Sequence, residues 1–231
     1  MFFKELFSIF NTDSLMDVAY KRSFEMLILS GNMFKESKSS LREKDTNQLA
    51  LDIYKQDMEI NNFEREVRRD LINHMAVAGT EEFNSALVLA TIVIDIERLG
   101  DYSKNLVDLA KSHPSKLLGG VFEEDLQKVE AAVLDGFDRV PNQFKNSDVE
   151  DAKAFLKEYN WVSKICDQHV NDYINEVDKD LSSGDAVALA MYYRYLKRIH
   201  SHLSNVATSI VNPFDQIGFR HSIVKKKHTD G

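Results

Sequence analysis

The chain has 231 residues and a formal net charge of −8 at pH 7, from 37 acidic and 29 basic side chains. This acidic excess excludes a protein that binds nucleic acid through general charge attraction. With 43% hydrophobic residues, 9 glycines and 3 prolines, the composition is typical of a helix-rich globular protein and excludes a disordered chain or a fibre. The single cysteine, Cys166, excludes an intramolecular disulfide and predicts a reducing compartment such as the cytoplasm.

The two chain ends differ from the rest of the sequence. Residues 1–10 are rich in aromatic side chains, but Lys4 and Glu5 interrupt them, so we predict no signal peptide. This arm is expected to dock against the first helix, with a membrane face or a partner protein as alternatives. Residues 225–228 form a basic run that we expect to be solvated, with attraction to a membrane surface as the alternative. No run reaches the roughly 20 apolar residues of a membrane span, so a soluble protein is expected.

Apolar residues at helical spacing predict six helices and no strand. The first helix follows a cap cluster at residues 11–13, the second covers residues 45–75, and the third ends near Lys111. The fourth opens at the glycine pair 119–120 and ends near Val140, the fifth runs from a capping box at 147–150 to Leu181, and the sixth covers 186–211. Helix boundaries are expected at Pro114, Pro141 and Pro213, because proline removes a helix hydrogen bond.

The first predicted helix alternates large and small residues on one face. The large residues are Tyr20, Leu27, Phe34 and Leu41, and the small residues are Ser23, Ser30 and Ser37. This alternation suits the close packing of long helices. Serines on an exposed edge are the alternative.

The third predicted helix has two unlike faces. Its apolar face carries Ile92, Ile96, Leu99, Leu106 and Leu109, and we expect it to be a packing surface. Its other face sets Glu97, Asp101 and Asn105 four residues apart, which places them along one side of the helix. This face is either an ordinary solvated surface or a site for a metal ion or a partner.

The two halves of the chain repeat a pattern. Arg98 and Asn105 of the third helix recur with the same spacing as Arg198 and Asn205 of the sixth. On the second and fifth helices, Asp57-x-x-Ile-Asn61 recurs as Asp167-x-x-Val-Asn171. An internal duplication therefore predicts an all-α protein of two tandem, pseudo-symmetric three-helix bundles, at residues 1–113 and 114–217, followed by a basic tail at 218–231.

The segment Asp95-Ile-Glu-Arg-Leu-Gly-Asp-Tyr-Ser-Lys-Asn105, together with Asp-x-x-Ile-Asn-x-x-Glu on the second helix, resembles the PhoU family of phosphate-signalling regulators. The resemblance covers residues 10–215 and implies the same tandem-bundle fold. It also implies a metal-ligand role for Asp57, Glu97 and Asp101, with Asn61 at a position that is more often acidic in the family. The implied cofactor is a divalent or transition metal ion: magnesium, manganese, iron or zinc.

Spacing alone leaves this metal site open. Carboxylates four residues apart on one helix, facing Asp57 and Asn61 on the next, offer oxygen ligands that suit magnesium, manganese or calcium, and iron less well. The alternative is an ordinary acidic surface in which Arg98 neutralises Glu97.

The second copy departs from the family pattern. Lys197 replaces the acid, His200 the glycine and Ser201 the second aspartate. Because an ammonium repels a cation and removes a ligand, we predict that the second site is lost. His169, His200 and His202 could form a different transition-metal site, although surface histidines are the favoured interpretation because no fixed spacing links them.

Several conspicuous residues favour structural roles. Gly100 is expected to permit close helix packing, with backbone access near the acids as the alternative. Arg98 and Arg198 are expected to form salt bridges between helices, and Asn105 and Asn205 to act as caps or interhelical hydrogen-bonding groups. Trp161 and Cys166 are expected in the core or an interface.

The sequence lacks the motifs of common enzymes. It contains no Glu-x-x-His tetrad of a di-iron oxidase, no glycine-rich phosphate loop and no nucleophile elbow, so we predict that the protein is not an enzyme. The resemblance implies a cytoplasmic homodimer that docks onto a phosphate transporter or its ATPase subunit and onto a sensor histidine kinase, limiting phosphate uptake and the starvation response. A metal-binding or structural helical adaptor unconnected with phosphate is the alternative.

Overall fold

The computed structural model describes residues 14–43, 52–78, 82–113 and 115–219. These ranges contain seven α-helices, two short 3-10 turns and no strand, so the all-α prediction is confirmed for them. The helices are α1 (Leu15–Arg42), α2 (Ile53–Ala78), α3 (Phe83–Ser112), α4 (Glu123–Asn146), α5 (Val149–Glu158), α6 (Val162–Ile174) and α7 (Ser183–Val211).

The helices form two bundles that share one core. Helices α1, α2 and α3 pack against one another, and α7 packs against α4, α5 and α6. The bundles meet where α3 packs on α7 and α1 packs on α4. The buried apolar side chains of both bundles belong to a single contiguous cluster. The predicted boundary between residues 113 and 114 therefore falls in a connection between two bundles that are packed together.

The serines of α1 are buried within this core. Their hydroxyls donate to backbone carbonyls one turn earlier, at 2.9 Å for Ser23, 2.8 Å for Ser30 and 2.6 Å for Ser37. Because each hydroxyl has a partner within the helix, burying it leaves no polar group unsatisfied. All three are fully buried, so the close-packing interpretation is correct and the exposed-edge alternative is wrong.

Two helix caps differ from those predicted. Ser14 and Asp17 form a capping box at the start of α1, while the predicted cap cluster at residues 11–13 lies outside the described part of the chain. At α5 the cap is Asp148, whose Oδ1 accepts from the backbone N–H of Asp151 at 3.0 Å. Ser147, the predicted cap, instead closes α4 in the left-handed conformation. Both caps satisfy N–H groups that have no partner within their helix.

The predicted end of α4 at Pro141 is wrong. The helix continues through this proline to Asn146. Its last turn is held by Phe144, whose ring stacks on Tyr20 of α1 at a centroid distance of 4.2 Å. This tertiary contact offsets the backbone hydrogen bond that proline removes. Pro213 follows α7 as predicted, and Pro114 is outside the described residues.

The predicted fifth helix is two helices. Residues 159–161 separate α5 from α6 and turn the chain so that Tyr159 and Trp161 pack against the core. The Tyr159 ring lies edge-on to Phe155 at 5.5 Å and to Trp161 at 6.4 Å. Helical periodicity does not reveal this break, because apolar contacts with the rest of the bundle produce it.

A buried ionic group joins the two bundles. Arg42, at the end of α1, donates from Nε to Glu130 Oε1 of α4 at 2.8 Å and also pairs with Glu123. Tyr192 of α7 donates its hydroxyl to the same Glu130 oxygen at 2.7 Å. Burial disfavours the charge on Arg42, but Glu130 and Glu123 outweigh burial and raise the pKa of the guanidinium. The group therefore holds α1, α4 and α7 together.

Stability is expected to fall in acid. Hydrogen bonds from Arg139 lower the pKa of Asp151, and those from Ser182 and His113 lower the pKa of Asp185, below the ordinary value of 3.8. A carboxylate with a lowered pKa stabilises the fold above its unfolded pKa, and this contribution disappears as the pH falls through the folded pKa. We expect the urea midpoint to be steady from about pH 7 to 5 and to drop below about pH 4.

Urea unfolding followed by circular dichroism at each pH measures this effect. The matched variant is Arg139→Gln, which removes the donor to Asp151 and should make the acid decline shallower. A midpoint that stays constant down to about pH 3 would contradict the prediction.

Candidate metal site on the first bundle

The predicted ligands lie where α2 packs against α3. Asp57 and Asn61 are one turn apart on α2, and Glu97 and Asp101 are one turn apart on α3. Gly100 allows the two helices to approach, because a Cβ atom there would lie 2.8 Å from Ile60 Cδ1 of α2. The packing interpretation of Gly100 is therefore correct.

A lysine ammonium joins two of the four predicted ligands. Lys104 Nζ donates to Asp57 Oδ2 at 2.8 Å and to Asp101 Oδ1 at 3.1 Å. The Asp57 side chain is 11% exposed and those of Lys104 and Asp101 about a quarter, so the contact is partly buried. The structure thus brings Asp57 and Asp101 to the same part of the helix interface. The ammonium of Lys104 lies between their carboxylates.

Arg98 covers the outer side of the same group. Its Nη1 donates to Asp101 Oδ2 at 2.8 Å, and its Nε lies 3.5 Å from Glu97 Oε2. Both partners are on α3, so the predicted salt bridge between helices is wrong for Arg98. The reason is that its half-exposed side chain lies along its own helix and reaches the carboxylate one turn on.

Glu97 is a partly buried carboxyl group with other acidic groups nearby. Burial raises its pKa, Asp101 adds to that rise, and Glu64 and Asp57 contribute further, while Arg98 opposes them. Glu64 was not among the predicted ligands, although it is the last residue of the Asp-x-x-Ile-Asn-x-x-Glu pattern. We call Asp57, Glu64, Glu97 and Asp101 the acidic cluster.

The acidic cluster as arranged does not fit a metal ion. Across the described ranges, no group of three or more histidine, cysteine, aspartate or glutamate side chains could hold one. The space between Asp57 and Asp101 is taken by Lys104, and the Asn61 side chain takes no part in the hydrogen bonds of the cluster. The metal site therefore stays a prediction.

The second copy shows what replaces the predicted site there. Lys197 Nζ of α7 lies 2.5 Å from both carboxylate oxygens of Asp167 on α6. Ser201 turns its hydroxyl to the Lys197 carbonyl at 2.9 Å. An ammonium thus occupies the side of Asp167 that faces α7. The loss of the second metal site stays a prediction.

The histidines of the second bundle are not surface residues. His169 is 3% exposed and His200 is 2% exposed. His169 lies between Asp125 and Asp172, at 3.2 and 3.1 Å, and packs on the ring of Phe122. His200 packs beside Phe155. The surface interpretation is therefore wrong for both, because packing against aromatic rings buries them.

The third of these histidines helps to join the bundles. Nδ1 of His202 lies 2.7 Å from Asp95 Oδ1 of α3, and Asn205 donates to the same oxygen at 2.8 Å. The ring of Tyr102 stacks over His202. The predicted interhelical role of Asn205 is confirmed, and the three histidines have separate surroundings.

The single cysteine has no reactive setting. Cys166 is fully buried on α6, and burial raises the pKa of its thiol to about 12. Since the thiolate is the reactive form, a raised pKa makes this thiol unreactive. Cys166 is a core residue, as predicted.

In the part of the chain that is described, no helix is long and apolar enough to cross a membrane.

The fold and the acidic cluster define a class: two tandem helical bundles, with carboxylates gathered between the second and third helices of the first bundle. A sequence model of the PhoU domain matches residues 24–110, which span most of α1 to α3. The resemblance predicted from the motifs is therefore confirmed as a match of residues 24–110 to the PhoU domain.

A solved structure extends the likeness to both bundles. The crystal structure of PhoU from Pseudomonas aeruginosa matches with a TM-score of 0.75, covering 87% of this chain and 97% of that chain at 15% sequence identity. At this identity the match shows the fold. A comparison with curated proteins finds no match.

Proposed function

We propose that the protein is a PhoU-like regulator of phosphate uptake and phosphate-starvation signalling, acting in the cytoplasm. The observation that carries this proposal is the PhoU domain at residues 24–110, in a chain whose two bundles share the fold of a PhoU protein. Regulation in this proposal works through protein contact and not through catalysis.

The chemistry of the described residues supports a contact role. The lone thiol is buried and has a raised pKa. Conspicuous ionisable groups such as Arg42, Asp95 and Arg139 are used in hydrogen bonds between helices. These groups hold a shared core together, and a rigid helical body of this kind suits docking with little change of shape.

The proposed partners are a phosphate transporter or its ATPase subunit and a sensor histidine kinase, and the proposed assembly is a homodimer. Docking when phosphate is ample would hold the transporter in a less active state. By linkage, the protein must then bind that state more tightly than the active one. No step of this proposal uses a metal ion, because the acidic cluster as arranged does not fit one.

A deletion strain is expected to take up phosphate faster than its parent when phosphate is ample. Uptake of radiolabelled phosphate and a starvation-response reporter measure the two outputs, and the full chain supplied from a plasmid should restore both. Matched strains carry the empty plasmid. Unchanged uptake and an unchanged reporter in the deletion strain would reject the proposal and favour an adaptor unconnected with phosphate.

Partner capture tests the contact step. A tagged full-length chain, cross-linked in cells grown with ample phosphate, is expected to retain the transporter's ATPase subunit or the sensor kinase. Cells starved of phosphate are the matched control, because docking should weaken there. Equal recovery in both conditions would contradict regulated docking.

A further inference from the structure

We propose that Lys104 is the resident cation of the acidic cluster. Its ammonium occupies the position between Asp57 and Asp101 that a divalent metal ion would take, so the first bundle is complete without a metal. This inference concerns the purified protein and does not depend on the proposed role in phosphate regulation.

The geometry around Lys104 is that of a bridging cation. One ammonium contacts carboxylate oxygens from two different helices, at 2.8 Å on α2 and 3.1 Å on α3. Magnesium and calcium bind carboxylate oxygens at about 2.0–2.6 Å, so they would need the same oxygens at shorter range. An ammonium and a divalent ion that bind the same carboxylate oxygens would lie close together and repel each other strongly in a partly buried site. The ammonium and a divalent ion are therefore alternative occupants.

The second bundle has a related ion pair, formed by a lysine at a different position. Asp167 is the counterpart of Asp57, and it is neutralised by Lys197 at 2.5 Å. Lys197 stands at the position of Glu97, whereas the counterpart of Lys104 is Ser204. The lysines thus come from different turns of the last helix of each bundle. In both bundles an ammonium on the last helix pairs with an aspartate on the helix before it.

The surrounding charges favour an internal cation. Glu97 and Asp101 lie one turn apart on α3 and share Arg98 on their outer side, while Asp57 lies across the interface from Asp101. Lys104 offsets part of this negative charge from within the helix interface. Its removal would leave Asp57 and Asp101 facing each other without a shared cation.

The test compares metal binding by the full-length wild type and Lys104→Met, which keeps much of the apolar stem and removes the charge. Calorimetric titration with Mn²⁺ is expected to show no saturable binding by the wild type below about 1 mM. Lys104→Met is expected to bind at least about tenfold more tightly, with a rise in Tm when Mn²⁺ is added. Asp101→Asn added to Lys104→Met should remove the gained binding.

Two matched variants separate charge from other effects. Lys104→Arg keeps a cation at the position and should gain no metal binding. Lys111→Met removes an exposed ammonium from the same helix and should also leave binding unchanged. A Lys104→Met protein that binds Mn²⁺ no better than the wild type would overturn the proposal.

Elemental analysis of the wild-type protein tests the proposal without relying on the Lys104→Met variant. The protein is expected to be purified without stoichiometric metal. Wild-type protein that holds about one metal ion per chain, lost in Asp101→Asn, would overturn the proposal even if Lys104→Met did not fold.

Discussion

Arg42→Met is expected to lower the free energy of unfolding by about 3–5 kcal/mol, because it leaves Glu130 charged and buried without its partner. The side chains of Arg42 and Glu130 are 7% and 6% exposed. The hydroxyl of Tyr192 would still donate to the Glu130 carboxylate. Removing one member of a buried charged pair costs more than the pair contributes, since the remaining charge stays out of water.

The matched control crosses the same pair of helices at the surface. Lys35 of α1 pairs with Asp138 of α4 at 2.8 Å, and both side chains are at least half exposed. Lys35→Met is expected to change stability by less than about 1 kcal/mol. Chemical denaturation of both variants provides the comparison. Equal losses in the two variants would show that burial of Arg42 does not set the cost.

A double variant tests the cause. Arg42→Met with Glu130→Leu removes both charges and should recover much of the loss, because neither ion remains buried alone. Non-additivity of the two substitutions measures their coupling. If the double variant is less stable than Arg42→Met by the full cost of Glu130→Leu alone, the two charges are not coupled and the account is wrong.

Gly136→Val is expected to destabilise the protein by about 1–3 kcal/mol through overpacking. A Cβ atom at Gly136 of α4 would lie 2.9 Å from Leu203 Cδ1 of α7 and 3.2 Å from Phe155 Cζ of α5. Leu203 and Phe155 are fully buried, so neither has room to withdraw. Valine adds two further methyl groups to a position where three helices converge.

Gly184→Val is the matched control. A Cβ atom at Gly184, in the first turn of α7, would meet only Ser182 Oγ at 3.7 Å. Thermal and urea unfolding should show little change for this variant and a clear loss for Gly136→Val. A second substitution, Leu203→Ala, should relieve the crowding, so the double variant is expected to lose less than the sum of the single losses. Full additivity would contradict the overpacking account.

Much of the fold could be predicted from local periodicity. The apolar face of α3, with Ile92, Ile96 and Leu99, is buried as predicted, because residues three and four apart share one side of a helix. Predictions failed where a distant contact opposes a local rule. Phe144, stacked on Tyr20, holds the helix turn beyond Pro141, and the aromatic residues at 159–161 break a helix whose periodicity continues.

The sequence likewise predicted one part of the candidate site and missed another. The motif identified Asp57, Glu97 and Asp101 as carboxylates on adjacent helices, and the structure places them along one interface. Lys104 gave no sequence signal for its role, because a lysine within an acidic helix face is usually a solvated residue. The sequence likewise did not predict the burial of His169 and His200, because aromatic side chains from other parts of the chain cover them.

The sequence by itself determined the helical class, the PhoU resemblance and the faces that carry acid, and it predicted the duplication. These properties follow from spacing along the chain, which sets the direction of each side chain on its own helix. Only the tertiary structure decided which charged groups meet. That depends on the distance between helices and on the reach of long side chains, and it places Lys104 between Asp57 and Asp101 and Lys197 on Asp167.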